Sequence, residues 1–303
     1  MEQREIRHIA DGSYAQKVRI GYTVELAYQV ETSAEFIFNL HAARTRQQHV
    51  VAESFVVSPQ VPVTLEDEPS NGNRLARLSA EPGALSVRYA GTVEISQHMV
   101  ERDCVMPGVL AELPAPVLRF LLPSRYCQVD RVHSLAWQEF GHMPSGIAQV
   151  DAVCAWVRER TTFRPGSSGA STSAMETLEH RVGVCRDFAH LTITLLRSLN
   201  YPARFVTGVD YGAPRELGPP DFHAYVEAWL GDRWYLFDPT AISPLTGLLR
   251  IGTGRDAADV SFATMFGTVH SGMPRVAFAA AEDPAHGIVR PVATTLAVST
   301  ATE

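Results

Sequence analysis

Alternating apolar and polar residues mark the first hundred residues as β-structure. From Ile20 to Val30 the apolar side chains fall on every second residue, which is the period of a strand with one buried face. We expect the remaining strands at residues 35–41, 49–57, 61–66, 74–78 and 85–95. Asn71-Gly72 is a strong turn signal for a hairpin between two of these strands. About seven short strands predict a small β-sandwich.

The pattern changes after about residue 103. Prolines interrupt short apolar runs between residues 103 and 144, which predicts a connector with brief helices. An amphipathic stripe that starts at Ile147 then predicts a helix with Cys154 on its buried side, so Cys154 is expected to pack rather than react. Ser173 and Glu176 have the spacing of a capping box, which predicts a further short helix.

A longer amphipathic helix begins near Cys185. Its apolar stripe has helical spacing and consists of Phe188, Leu191, Leu195 and Leu199. Gly183 breaks the preceding segment, and Pro202 ends the helix near Asn200. Cys185 therefore falls in the first turn, where unpaired N–H groups and the helix dipole stabilise a thiolate. This position makes Cys185 a candidate nucleophile.

Two strand-like runs on either side of Gly231-Asp232 predict a β-hairpin with a two-residue turn. That register places Tyr225 opposite Asp238 and makes His223 a diagonal neighbour of Asp238 on one face of the sheet. Diagonal neighbours lie about 7–8 Å apart, within reach of long side chains. A three-residue turn would instead shift the register by one residue and separate His223 from Asp238.

Four segments that carry these residues resemble the transglutaminase-like superfamily. They are residues 183–189, 201–208, 221–227 and 234–240. The resemblance covers roughly the second half of the chain, and it matches in order, spacing and context. It implies an α+β fold in which an N-terminal β-sandwich precedes a papain-like core, with the cysteine helix packed on an antiparallel sheet. It fits the bacterial type, in which an N-terminal β domain comes first.

The resemblance also implies a papain-like thiol mechanism with Cys185 as the nucleophile, His223 as the base and Asp238 as the group that orients it. We expect thiol-dependent hydrolysis of an amide in a peptide or protein, through a thioester acyl-enzyme. Residues that could support the triad are Asp187, Tyr225 and Glu227, although capping or surface roles suit Asp187 and Glu227 equally well. His190 lies on another side of the helix from Cys185 and is not expected to be the base.

Three alternatives stay open. An amine could replace water, which would give protein-glutamine amine transfer. The fold could serve as a non-catalytic interaction module, since a fold alone does not determine a function. Cys185, His223 and Asp238 could instead be the ligands of a metal-dependent hydrolase, which a metal assay would distinguish.

The length of 303 residues suits about two domains. The expected division is a β-sandwich at 1–102, a connector at 103–144, a catalytic core at 145–270 and a C-terminal tail at 271–303. The tail is rich in Ala and Thr and shows little periodicity. It is expected to be either an added strand or partly disordered.

Charge and cysteine content narrow the range of partners. The 33 acidic and 26 basic residues give a net charge of −7, which argues against a broad cationic surface for nucleic acid. The four cysteines form no C-x-x-C pair and no zinc-spaced cluster, so we expect no disulfide scaffold, metal or other cofactor. With no secretory signal or membrane-length apolar stretch in view, we expect a reducing, cytoplasmic setting and no membrane partner. The oligomeric state is left open.

Overall fold

The computed structural model describes residues 7–8, 13–214, 216 and 219–301. The helices are Ala115–Leu118 (α1), His133–Phe140 (α2), Ile147–Arg160 (α3), Ala174–His180 (α4) and Cys185–Ser198 (α5). The strands of the first hundred residues are Arg7–His8 (β1), Tyr14–Val30 (β2), Ala34–Phe38 (β3), Gln48–Ser58 (β4), Thr64–Asp67 (β5), Arg74–Ala80 (β6) and Gly83–Val100 (β7). The later strands are Thr162–Phe163 (β8), Val182–Gly183 (β9), Ala203–Asp210 (β10), His223–Leu230 (β11), Arg233–Phe237 (β12), Leu248–Gly254 (β13), Ala263–Phe266 (β14), Val269–Ser271 (β15), Arg275–Ala281 (β16) and Ala297–Ala301 (β17).

Within the described part of the chain, most strands belong to one sheet of eleven strands. Its main path runs β1-β2-β7-β17-β12-β11-β10-β13, while β15 and β16 pair with β2, and β4 pairs with β7. A second sheet of four described strands has the order β14-β3-β6-β5. Apolar side chains from β2, β3, β6 and β7 form a shared buried cluster. The N-terminal region is therefore a β domain, as the alternating pattern predicted.

The α+β core of the second half is also confirmed. All four apolar residues of the predicted helix stripe are buried, three of them on α5 and Leu199 directly after it. The helix packs against β10 and β11. Ala224, Val226 and Ala228 of β11 belong to the same buried cluster as this helix. The cysteine helix thus lies on one face of an antiparallel sheet, and its first residue is Cys185.

The predicted hairpin register is correct. Leu230 faces Arg233 and Val226 faces Phe237, as a two-residue turn requires. Gly231 has a φ of 61°, the left-handed conformation that such a turn needs and that glycine adopts without strain. The hairpin around Asn71-Gly72 also forms: Asp67 pairs with Arg74, and the loop between them contains Asn71 and Gly72.

The residues grouped above as a C-terminal tail contain two strands of the large sheet. Strand β16 pairs along β2, and β17 lies between β7 and β12. Strand β17 therefore joins the N-terminal strands to the hairpin strands in one continuous sheet. None of the helices in the described ranges is both long and apolar enough to cross a membrane.

Candidate active site

The loop before α5 sets the position of Cys185. Strand β9 pairs in parallel with β8 and brings the chain to Val184, whose N–H donates to Asp187 Oδ2 over 2.7 Å. A side chain at Gly183 would bring its Cβ within 2.6 Å of the Asp187 Cβ, so glycine is required there. Cys185 is partly exposed at the first turn of the helix, where backbone N–H groups have no intrahelical partner.

His223 is the first residue of β11 and is buried. Its Nε2 lies 3.2 Å from Asp238 Oδ2. The Cys185 side chain is close enough to the His223 ring to affect its pKa, so the structure brings the three predicted residues together. Burial alone lowers the pKa of His223, but the Asp238 charge and the contacts with Asp238 and Cys185 outweigh it and hold this pKa well above the usual value.

Asp238 follows directly after β12, and its two carboxylate oxygens have separate partners. The Thr240 hydroxyl donates to Oδ1 over 2.6 Å, and the Thr240 N–H donates to the same oxygen over 3.0 Å. Oδ2 remains directed to His223. Burial alone would raise the pKa of Asp238. The charge of His223 and the hydrogen bonds from Thr240 lower this pKa by more than burial raises it, so the net shift is downward. The surroundings therefore favour the carboxylate form of Asp238 and the imidazolium form of His223.

A second carboxylate, Asp210, approaches the other ring nitrogen of His223. Asp210 Oδ2 lies 3.9 Å from His223 Nδ1 and accepts a hydrogen bond of 2.5 Å from the Ser243 hydroxyl. Burial raises the pKa of Asp210 above its usual value. Sequence reasoning missed this residue. Asp210 lies two residues after Gly208, which pairs with His223, and no local sequence pattern indicates that pairing.

The three candidate supporting residues have different surroundings. Asp187 is fully buried and caps the cysteine helix. Tyr225 stacks on His223 at a centroid distance of 6.4 Å. Glu227, expected either beside the triad or at the surface, is instead buried between Arg204, at 2.6 Å, and Arg250. The surface alternative for Asp187 and Glu227 is therefore wrong, because strand and helix neighbours cover both carboxylates.

The remaining chemically active side chains lie apart from this group. His190 is buried, accepts the Ala257 N–H at Nε2 over 3.1 Å and stacks on Tyr126. Burial raises the pKa of the Cys154 thiol, and it raises that of Cys127 to about 11. Among the residues that the structure describes, no three His, Cys, Asp or Glu side chains are arranged to hold a metal ion.

Family models match two regions of this chain. The Transglutaminase-like superfamily model matches residues 137–239, and the model of the bacterial transglutaminase N-terminal domain matches residues 18–115. The first match contains the helix of Cys185, the strand of His223 and Asp238. The second match falls on the N-terminal β domain.

Relatives are found among both solved structures and protein sequences. The crystal structure of "a Putative Cysteine Protease" from Cytophaga hutchinsonii is 36% identical, with a TM-score of 0.87, and the match covers 95% of this chain and 99% of that one. An uncharacterized protein of Mycobacterium leprae is 37% identical over 182 residues, which is 55% of this chain and 64% of that protein. An uncharacterized protein of Mycobacterium tuberculosis is 36% identical over 110 residues, 33% of this chain and 35% of that protein. The matches therefore span less than two thirds of either mycobacterial protein.

Proposed function

The chain belongs to the transglutaminase-like superfamily, with a bacterial transglutaminase N-terminal domain, and we propose that it hydrolyses amide bonds in peptides or proteins with Cys185 as the nucleophile. The observation that carries this proposal is the grouping of Cys185, His223 and Asp238 at the start of α5. A thiol, an imidazole and an orienting carboxylate are the parts that nucleophilic acyl transfer requires. The description of the Cytophaga relative as a "Putative Cysteine Protease" also favours hydrolysis.

In the proposed reaction, the Cys185 proton has already passed to His223 before the substrate binds, so the resting pair is a thiolate and an imidazolium. In the first half, the thiolate attacks the amide carbonyl carbon. The tetrahedral oxyanion accepts a hydrogen bond from the backbone N–H of Cys185, which the start of the helix leaves without an intrahelical partner. The C–N bond then breaks as the His223 imidazolium returns its proton to the leaving amine. The product of this half is a thioester on Cys185 and a free amine.

In the second half, His223 removes a proton from water, and the resulting hydroxide attacks the thioester carbonyl. The C–S bond breaks, the Cys185 sulfur regains a proton from His223, and a carboxylic acid leaves. Asp238 stays ionised throughout and stabilises each imidazolium, because its Oδ2 faces His223 and its Oδ1 is held by Thr240.

Amine transfer is the second candidate, and the name of the matched family is what favours it. In that reaction a primary amine attacks the same thioester, so the product is a new amide instead of a carboxylic acid. The two reactions share every step up to the acyl-enzyme. They differ only in the molecule that reaches the thioester.

The deciding experiment uses a library of peptide amides in oxygen-18 water, with and without an added primary amine. We expect one oxygen-18 atom in the carboxyl product and loss of turnover to background in Cys185→Ala, while Cys104→Ala, at an exposed cysteine, keeps wild-type rates. A new amide that replaces the acid when amine is added would favour transfer. Turnover that survives in Cys185→Ala would rule out the thiol mechanism.

A further inference from the structure

A cavity of about 440 Å³ lies where three parts of the chain meet. The loop before β4 and the loop after β5 form one wall, the segment that includes α1 forms another, and side chains of β10, β12 and β13 form the floor. Five arginines line it: Arg44, Arg46, Arg119, Arg204 and Arg250. Within the described part of the chain, no Asp or Glu lines the cavity. We call this cavity the arginine pocket.

The floor of the arginine pocket has more positive than negative charge. Arg204 and Arg250 are both buried, and both pair with one carboxylate, Glu227. The Nε of Arg250 is buried and has no hydrogen-bond partner. Two buried guanidinium groups therefore share a single carboxylate, and one N–H donor that needs an acceptor is left over.

The rim adds further positive charge. Arg46 and Arg119 are both exposed, and neither lies within 4.0 Å of a carboxylate among the residues that the structure describes. The charge of Arg119 is still close enough to Asp259 to lower the pKa of that carboxyl group.

Arg44 does have carboxylate partners, Glu53 and Asp67, but Arg74 shares them. Together with Arg74, three of the five arginines of the pocket form ion pairs with three carboxylates, those of Glu53, Asp67 and Glu227. Positive charge is therefore in excess here, and like charges repel unless an anion lies between them.

Aromatic side chains form the apolar part of the floor. The Arg204 guanidinium lies 4.1 Å from the centre of the Trp234 ring, and Phe120 packs edge-on against Trp234 at 5.2 Å. This stacking fixes the plane of the Arg204 guanidinium group, so its N–H donors are held in a fixed orientation for a ligand with several oxygens. The ring surfaces leave room for an apolar portion beside the charged group.

We propose that the arginine pocket binds a small oxyanion, a molecule that carries phosphate or carboxylate groups. Guanidinium groups bind both kinds of oxyanion through paired hydrogen bonds. The pocket does not depend on the amide chemistry proposed above, since Glu227 lies four residues from His223 along β11, a distance of about 13 Å. Tyr225 lies between Glu227 and His223 on the same strand and stacks on the His223 ring.

The first test measures binding of inorganic phosphate, pyrophosphate and citrate by calorimetry and by thermal unfolding, with sodium chloride at equal ionic strength as the reference. We expect a saturable rise in Tm with at least one of these anions, because a ligand that binds only the folded state stabilises it. Binding of the phosphates alone assigns a phosphorylated ligand, and binding of citrate alone assigns a carboxylate. No stabilisation beyond that of chloride would overturn the proposal.

The second test removes the rim charges without disturbing the buried pairs. We expect Arg46→Gln combined with Arg119→Gln to raise the Kd of the bound anion roughly tenfold or more, because two charged donors are lost. The matched control combines Arg77→Gln with Arg88→Gln, which removes two exposed arginines outside the pocket. Equal affinity in the two double variants would place the anion elsewhere and contradict the proposal.

Discussion

At the residue scale, His223 lies between two carboxylates, each of which is near a different ring nitrogen. Asp238 is 3.2 Å from Nε2, and Asp210 is 3.9 Å from Nδ1. Each carboxylate is fixed by a hydroxyl, from Thr240 in one case and Ser243 in the other. Both negative charges favour the imidazolium form of His223, which in turn stabilises a thiolate on Cys185.

The first residue-scale prediction compares Asp238→Asn with Asp210→Asn. We expect Asp238→Asn to reduce kcat/KM by up to ~10⁴-fold, as loss of an orienting carboxylate does in serine proteases. We expect a smaller loss, on the order of tenfold, for Asp210→Asn, because its carboxylate is farther from the ring. The measurement is kcat/KM on an amide substrate that the peptide-amide library identifies.

The pH profile separates this electrostatic role from simple misfolding. Because Asp238 raises the pKa of His223, the imidazolium persists to higher pH, and its contribution is lost only as pH rises through that raised pKa. Asp238→Asn should therefore shift the alkaline limb of the rate profile to lower pH, and Asp210→Asn should shift it less in the same direction. An alkaline limb at the same pH in both variants and the wild type would contradict this account of His223.

Of the four residues discussed at this site, sequence reasoning identified three and missed Asp210. Cys185, His223 and Asp238 could be predicted because each is tied to a local element, a helix start or a hairpin of fixed register. Asp210 lies near His223 only because β10 pairs with β11. Pairing between strands separated by a loop is not encoded in a local pattern.

At the element scale, the start of α5 determines where the thiol lies. Asp187 holds the Val184 N–H, and the absence of a side chain at Gly183 allows this close approach. The helix itself was predictable from its apolar stripe, and the hairpin from its turn residues. The role of Asp187 remained undecided, because a carboxylate in the first helical turn suits capping, catalysis and solvent exposure equally well in a sequence.

The element-scale prediction concerns this cap. We expect Asp187→Ala to lower the free energy of unfolding by about 1–2 kcal/mol and to slow alkylation of Cys185, because the first turn loses its side-chain acceptor. Asp187→Asn keeps an acceptor oxygen and should retain more of both properties. Chemical denaturation and the rate of thiol labelling are the two measurements.

Glu176→Ala supplies the control, since Glu176 accepts the Ser173 N–H at the start of a different helix, α4. It should leave the labelling rate of Cys185 unchanged. Equal slowing of Cys185 labelling in Asp187→Ala and Glu176→Ala would show that general loosening, and not the local cap, controls the thiol.

At the scale of the whole molecule, one continuous sheet links the N-terminal strands to the hairpin of the candidate site. The link is β17, which pairs with both β7 and β12. Sequence reasoning did not foresee this link, because β17 is a short run of Ala, Val, Ser and Thr whose partners lie far away in the chain. The arginine pocket escaped prediction for the same reason, since its five arginines come from separate segments.

The central claim is that His223 activates Cys185, and the four cysteines of the chain provide an internal comparison. Cys104 is exposed, Cys127 and Cys154 are buried, and Cys185 is partly exposed. Access alone would therefore favour labelling of Cys104. Iodoacetamide reacts with the thiolate and not with the thiol, so labelling at pH 6 reports whether Cys185 has passed its proton to His223.

The most direct measurement is peptide mapping after brief iodoacetamide treatment of the folded protein at pH 6. We expect the label chiefly on Cys185, with little on Cys104, and we expect His223→Ala to remove this preference. His270→Ala, at an exposed histidine of β15, should leave it intact. Faster labelling of Cys104 than of Cys185, with the same ratio in His223→Ala, would contradict the claim that Cys185 and His223 form an activated pair.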